Sequence, residues 1–151
     1  MQKFTKLTSV AAPLREADID TDVIFPARFL LLLDKAGLGQ HAFHERRIRR
    51  DDGKTDFVLN VAPFDHAKIL VASTNFGSGS SREQAVWCLV DFGIRCIIAP
   101  SFGEIFYSNC FKNGALPIVI TGNAHERVMQ AAESGRELSV DLETRSVVLP
   151  D

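Results

Sequence analysis

Cysteine is scarce and scattered in this sequence. The three present, Cys88, Cys96 and Cys110, are too few for a disulfide framework, and none is spaced Cys-x-x-Cys, so neither a zinc ribbon nor a dithiol redox centre is implied. A reducing cytoplasm is the expected compartment. Long apolar runs are missing too. Uninterrupted runs such as residues 29–33 fall far short of the roughly 18 residues that read as a membrane helix. Lys3 and Lys6 precede a short apolar stretch around Val10, but Pro13 interrupts it, a poor fit to a secretory signal. No charge sign dominates. Seventeen basic and 19 acidic residues leave a net charge of −2, so the chain lacks the electrostatic footprint of a partner for nucleic acid or an anionic membrane. Internal repeats and low-complexity tracts are also absent. What remains is 151 residues, 46% hydrophobic and 24% charged, enough for one globular core.

From residue 68 onward, short apolar runs alternate with helical patterns, and turn residues mark each junction. This punctuation predicts βα units and a parallel sheet. Strands are expected over 69–72, 96–99 and 117–120, with helices over 82–91 closed by Gly93, from Ser101 to Asn113-Gly114, and from Asn123 to Gly135. Ser101 with Glu104 and Asn123 with Glu126 have capping-box spacing. Residues 138–142 and 146–149 read as a final pair of strands around Glu143-Thr144-Arg145. The first half is less regular: a strand over 4–10, a loop over 18–22, and a charged run over 46–54 that reads as a solvated turn at Gly53. Ligands of open α/β sheets bind at the carboxyl ends of parallel strands, so the loop after Ala72 is where function is expected.

That loop reads Asn75-Phe76-Gly77-Ser78-Gly79-Ser80-Ser81-Arg82-Glu83-Gln84-Ala85. Two glycines permit close backbone approach, the serines present hydroxyls, and unpaired helix N–H groups follow, which together suit an anion. Arg82 adds a planar fork that matches a carboxylate. Ser80 with Glu83, or Ser81 with Gln84, equally satisfies an ordinary capping box that needs no ligand. Arg82 stands where a dinucleotide fingerprint would need glycine, no Gly-Lys-Ser/Thr follows as in a P-loop, and no Gly-x-Ser-x-Gly elbow is present.

The segment 75–85 resembles the Gly-Ser-Ser-Arg-Glu segment of the mobile swivel domain in the aconitase superfamily. Two further blocks agree. Residues 18–30, containing Asp18-Ile19-Asp20-Thr21-Asp22 and Pro26-Ala27-Arg28-Phe29-Leu30, and residues 101–114, opening Ser101-Phe102-Gly103-Glu104, are similar to blocks of isopropylmalate dehydratase small subunits. The resemblance implies an α/β swivel-type domain with a mainly parallel βαβ core and additional strands in a mixed sheet. Family members commonly run on past a strand such as 146–149, so 1–151 reads as a single such domain, either whole or shortened at its C-terminus.

The resemblance further implies a hydro-lyase of leucine biosynthesis that interconverts 2- and 3-isopropylmalate and is active only with a large subunit. Ser80 falls on the family's catalytic base, and Ser81 and Arg82 on substrate-contacting positions. A serine base needs a stabilised alkoxide, which helix N–H groups and the Arg82 charge would supply. The family's [4Fe-4S] cluster, bound by cysteines of the large subunit, supplies the Lewis acid, and no metal is expected on this chain. Cys88 and Cys96 read as small buried hydrophobes, and His41 with His44 as packing or surface residues without a third ligand. Substrate choice in the family tracks the loop after Phe29-Leu30, here Leu31-Leu32-Leu33. Leucine suits an isopropyl group, whereas a basic residue would suit the extra carboxylate of homoaconitate; Leu32 and Leu33 equally read as core. The alternatives are a homoaconitase- or methylcitrate-type hydro-lyase small subunit, and a non-catalytic anion-binding module in which Ser80 only caps a helix.

Overall fold

Residues 69–71 and 96–99 are apolar at every position, the pattern of strands covered on both faces. The computed structural model describes residues 5–31, 35–49, 53–80 and 82–150. In chain order the strands are β1 (Lys6–Pro13), β2 (Ile48–Arg49), β3 (Gly53–Lys54), β4 (Ile69–Val71), β5 (Cys96–Ala99), β6 (Leu116–Val119), β7 (Glu137–Asp141) and β8 (Ser146–Val148). The helices are α1 (Thr21–Ile24), α2 (His44–Arg47), α3 (Glu83–Phe92), α4 (Glu104–Lys112) and α5 (Gly122–Glu133).

One six-stranded sheet, in the order β6-β5-β4-β1-β7-β8, organises the chain. β1, β4, β5 and β6 are mutually parallel, while β7 and β8 add an antiparallel edge. This is the mixed sheet with a parallel βαβ core that the sequence predicts. Side chains alternate between two cores, as the pleat demands. Ala12, Leu70, Ala72, Ile97 and Ala99 face one cluster with Ala85, Leu89 and Phe106 of α3 and α4. Ala11, Ile69, Val71, Cys96 and Ile98 face the other, with Val128, Met129 and Ala132 of α5. Truncating a fully buried residue such as Leu70 to alanine removes about 2–5 kcal/mol.

The first strand departs from expectation: Phe4 lies outside the described residues, and β1 runs on through Pro13. Pro13 is tolerated because Leu14 donates its N–H to Val71 of β4, so the Pro13 nitrogen faces the opposite side, past the last β1–β7 pair at Val10 and Glu137. The charged run is no plain turn, although residues 50–52 are not among those described. Arg46 pairs with Glu16, Arg47 is bonded to Asn60 and the Ala42 carbonyl, and β2 and β3 form a small antiparallel pair.

Neither expected capping box forms. Gly103 and Thr121 are the N-caps of α4 and α5, without side-chain capping bonds. The Ser101 hydroxyl instead accepts the Asn75 N–H at 2.8 Å, and Glu126 pairs with Arg15 at 2.8 Å. Long-range partners outcompete the local ones because a cap and a tertiary hydrogen bond are each worth about 1 kcal/mol. Gly93, Gly114 and Gly135 do follow the ends of α3, α4 and α5, each with positive φ. Among the described residues, no helix is long and apolar enough to cross a membrane.

Candidate functional site

The three sequence blocks meet because of strand order. Residues 18–30 follow β1, residues 75–85 follow β4 and residues 101–114 follow β5, and these three strands are adjacent and parallel. Their carboxyl-end loops therefore stand side by side, with the serine-glycine loop between the other two.

That loop is held from both sides. Toward the first block, Gly77 donates its N–H to the Ile19 carbonyl at 2.7 Å, Thr21 donates its N–H to Ser78 at 2.9 Å, and the buried Thr21 hydroxyl reaches the Ser80 carbonyl at 3.0 Å. Toward the third block, Phe76 donates to the Ser101 carbonyl and Gly103 donates back to Phe76, at 3.1 and 2.9 Å. Gly77 has φ +77°, and a Cβ there would overlap the Phe106 ring; one on Gly103 would overlap the Gly77 carbonyl. The glycines bring backbone against ring and backbone, which no larger residue allows.

Ser80 is exposed at the end of this clamped segment, and its hydroxyl makes no hydrogen bond to a described residue. The structure also answers the capping reading of Ser80. Arg82, in extended conformation, is the N-cap of α3, with no side-chain capping bond. Glu83 accepts from the Asn113 amide at 3.0 Å instead of closing a capping box. Ser81 lies outside the described residues.

Arg82 is aimed rather than free. Its side chain is 17% exposed, and Nη1 donates to Asp22 at 3.1 Å and toward the Phe25 carbonyl at 3.5 Å. Nη2 and Nε make no bond to a described residue, and such a guanidinium edge has the fork geometry that matches a carboxylate. The Ala27 N–H, at 2.8 Å, and Arg82 together hold the Asp22 carboxyl below the usual carboxylate range. Asp22 thereby couples Arg82 to the turn at Ala27–Phe29, after which Leu31 stands 90% exposed. Leu32 and Leu33 lie outside the described residues.

The sequence reading assigned no role to Asp22 or Thr21. Their signal was present in the Asp-x-Asp-Thr-Asp spelling of the first block, but the spacing alone does not reveal that they face Ser80 and Arg82, some 60 positions away.

Cys88, Cys96 and Cys110 are buried on α3, β5 and α4. Burial pushes the Cys88 thiol up, and Cys96 and Cys110 up to about 12, and all three side chains are packed inside the apolar cores, on separate elements. They do not fit an iron–sulfur cluster. His41 and His44 do not share a helix. His41 ends a 3₁₀ turn, stacks on Phe29 with centroids 4.0 Å apart, and is held below its ordinary pKa by burial and by neighbouring His44 and Arg28. Among the described residues, no group of three or more histidine, cysteine, aspartate or glutamate side chains is arranged to hold a metal.

Residues 1–123 match the aconitase C-terminal domain family. The chain is 54% identical over 154 aligned residues to the 3-isopropylmalate dehydratase small subunit of Gluconacetobacter diazotrophicus, covering 100% of this chain and 74% of that protein. It is 53% identical to the protein of the same name from Allorhizobium ampelinum, again over 100% of this chain and 77% of the relative. The crystal structure of 3-isopropylmalate dehydratase (leuD) from Methanocaldococcus jannaschii superposes with a TM-score of 0.65 at 28% identity, covering 97% of this chain and 83% of that one.

Proposed function

This chain belongs to the family of 3-isopropylmalate dehydratase small subunits, and from that premise we propose that its serine-glycine loop forms one wall of an active site shared with a large subunit. The reaction is the isomerisation of 2- and 3-isopropylmalate by loss and return of water, in the cytoplasmic pathway to leucine. Ser80, as alkoxide, takes the carbon-bound proton and hydroxide leaves the neighbouring carbon to give the alkene; hydroxide then adds to the carbon that lost the proton, and Ser80 returns its proton to the carbon that lost the hydroxide. The Nη2–Nε edge of Arg82 binds a substrate carboxylate, with Ser81 beside it, and Leu31 faces the isopropyl group. The [4Fe-4S] cluster belongs to the large subunit, since the buried thiols of this chain do not suit it. Residues 1–151 act as a single swivel-type domain. Neither a nucleic acid nor a membrane is a partner, in keeping with the balanced charge.

The observation that carries this reading is the exposed Ser80 hydroxyl on a loop clamped from both sides, beside an Arg82 already oriented by Asp22. A serine at the end of a clamped backbone, beside an arginine oriented by an ion pair, goes toward the positional demand of catalysis. In the assembled enzyme, Ser80→Ala should lower kcat by several orders of magnitude and leave KM nearly unchanged, because a base acts in the transition state. Turnover within about threefold of the parent would remove Ser80 from the base position. Relative rates with homoaconitate and methylcitrate separate the related hydro-lyases.

A further inference from the structure

The stem of the loop has a defect in its sheet ladder, and one side chain repairs it. In the parallel pairing of β4 with β5, the Ala72 N–H donates to the Ile98 carbonyl at 2.7 Å. By the regular parallel pattern, the Ala72 carbonyl should then accept from the N–H of residue 100. That residue is Pro100, which has no N–H. Ala72 is buried, and a buried carbonyl without a donor costs about 1–3 kcal/mol. The donor comes from α5: His125 Nε2 lies 2.7 Å from the Ala72 oxygen. A carbonyl cannot donate, so Nε2 carries the proton.

We infer that His125 is a positioning residue for the catalytic loop, its Nε2–H standing in for the missing Pro100 N–H and fixing the point at which residues 73–80 leave the sheet. Ser73, the next residue, is tied on the other side, its hydroxyl reaching the Leu14 and Arg15 carbonyls at 3.2 and 2.9 Å. The helix that presents His125 is itself anchored, since Arg15 forms paired bonds to Glu126 and Glu133 of α5 at 2.6–3.2 Å. The loop stem is thus fastened through Ser73 to the segment that follows β1, and through His125 to α5. The catalytic consequence rests on the reading of Ser80 as base; the fastening of the stem does not.

The test uses the assembled two-subunit enzyme. His125→Leu removes the donor and should lower kcat by about 10- to 100-fold with KM within about twofold, since displacement of a reacting group by about 1 Å has effects of that size. It should also speed amide hydrogen exchange across residues 73–80. His125→Gln places an amide N–H near the former Nε2 and should recover most of the loss. Pro100→Ala restores the ladder N–H itself, so the double variant His125→Leu/Pro100→Ala should return to within about threefold of the parent. An unchanged kcat and unchanged exchange in His125→Leu would overturn the inference. Equal impairment of the Leu, Gln and double variants would overturn the donor role, leaving only bulk at that position. Ser80→Ala at full activity would instead overturn the base assignment; loop exchange in His125→Leu would then still decide whether the pin exists. Thermal unfolding of each variant separates loss of fold from loss of position.

Discussion

Gly77 shows how closely residue identity is prescribed around the loop. Its φ of +77° disfavours any side chain, and a Cβ would overlap the buried Phe106 ring. Left-handed strain and overpacking each cost about 1–3 kcal/mol, so Gly77→Ala should lose about 2–4 kcal/mol of stability. Urea denaturation measures this, and a loss below about 0.5 kcal/mol would mean that Phe106 moves aside freely. The loop that carries Ser80 and Arg82 stood out in the sequence because its spelling matches a known family block. Asp22 and Thr21 were not, because their roles lie in hydrogen bonds to a segment on another strand's loop. Glu83 read as half of a capping box, yet it accepts from Asn113 of α4's C-cap. Local spacing lists the partners available to a side chain, and tertiary neighbours choose among them.

At the scale of elements, α5 is held by an apolar face and by the Arg15 clamp. Val128, Met129 and Ala132 pack on the sheet, while Arg15 binds Glu126 and Glu133. Bonding to Arg15 lowers the pKa of both carboxyls relative to their ordinary values. Groups with depressed folded pKa values stabilise the fold above the unfolded pKa, and that contribution is lost as pH falls through the folded pKa. Arg15→Gln should therefore leave stability little changed in high salt at neutral pH, where exposed pairs are screened, and flatten the acid limb of the stability–pH curve below about pH 5. Denaturation midpoints across that range, for parent and variant, make the comparison. Parallel acid limbs would show that the clamp does not contribute. A helix from Asn123 to Gly135 was legible in the sequence; its Asn123–Glu126 cap was not formed, because Glu126 had a cation within reach.

At the scale of the whole molecule, an exposed serine, an arginine oriented by Asp22 and an exposed leucine belong to the loops that follow β1 and β4. Its thiols lie buried on three separate elements. Purified alone, it should show no dehydratase activity after anaerobic reconstitution with iron and sulfide, and mixing with the large subunit should restore turnover; a single chain that dehydrates isopropylmalate unaided would overturn the division of labour. The sequence by itself determined the βα rhythm from residue 68 onward, the closing glycines and the make-up of the serine-glycine loop. These depend on side-chain periodicity, backbone permissiveness and local spelling, all of which are properties of neighbours in the chain. Only the tertiary structure decided that the loops after β1, β4 and β5 converge, that Asp22 orients Arg82, and that His125 supplies what Pro100 lacks. Those contacts join residues 25 to 60 positions apart, and their partners become neighbours only when strand order sets the loops side by side.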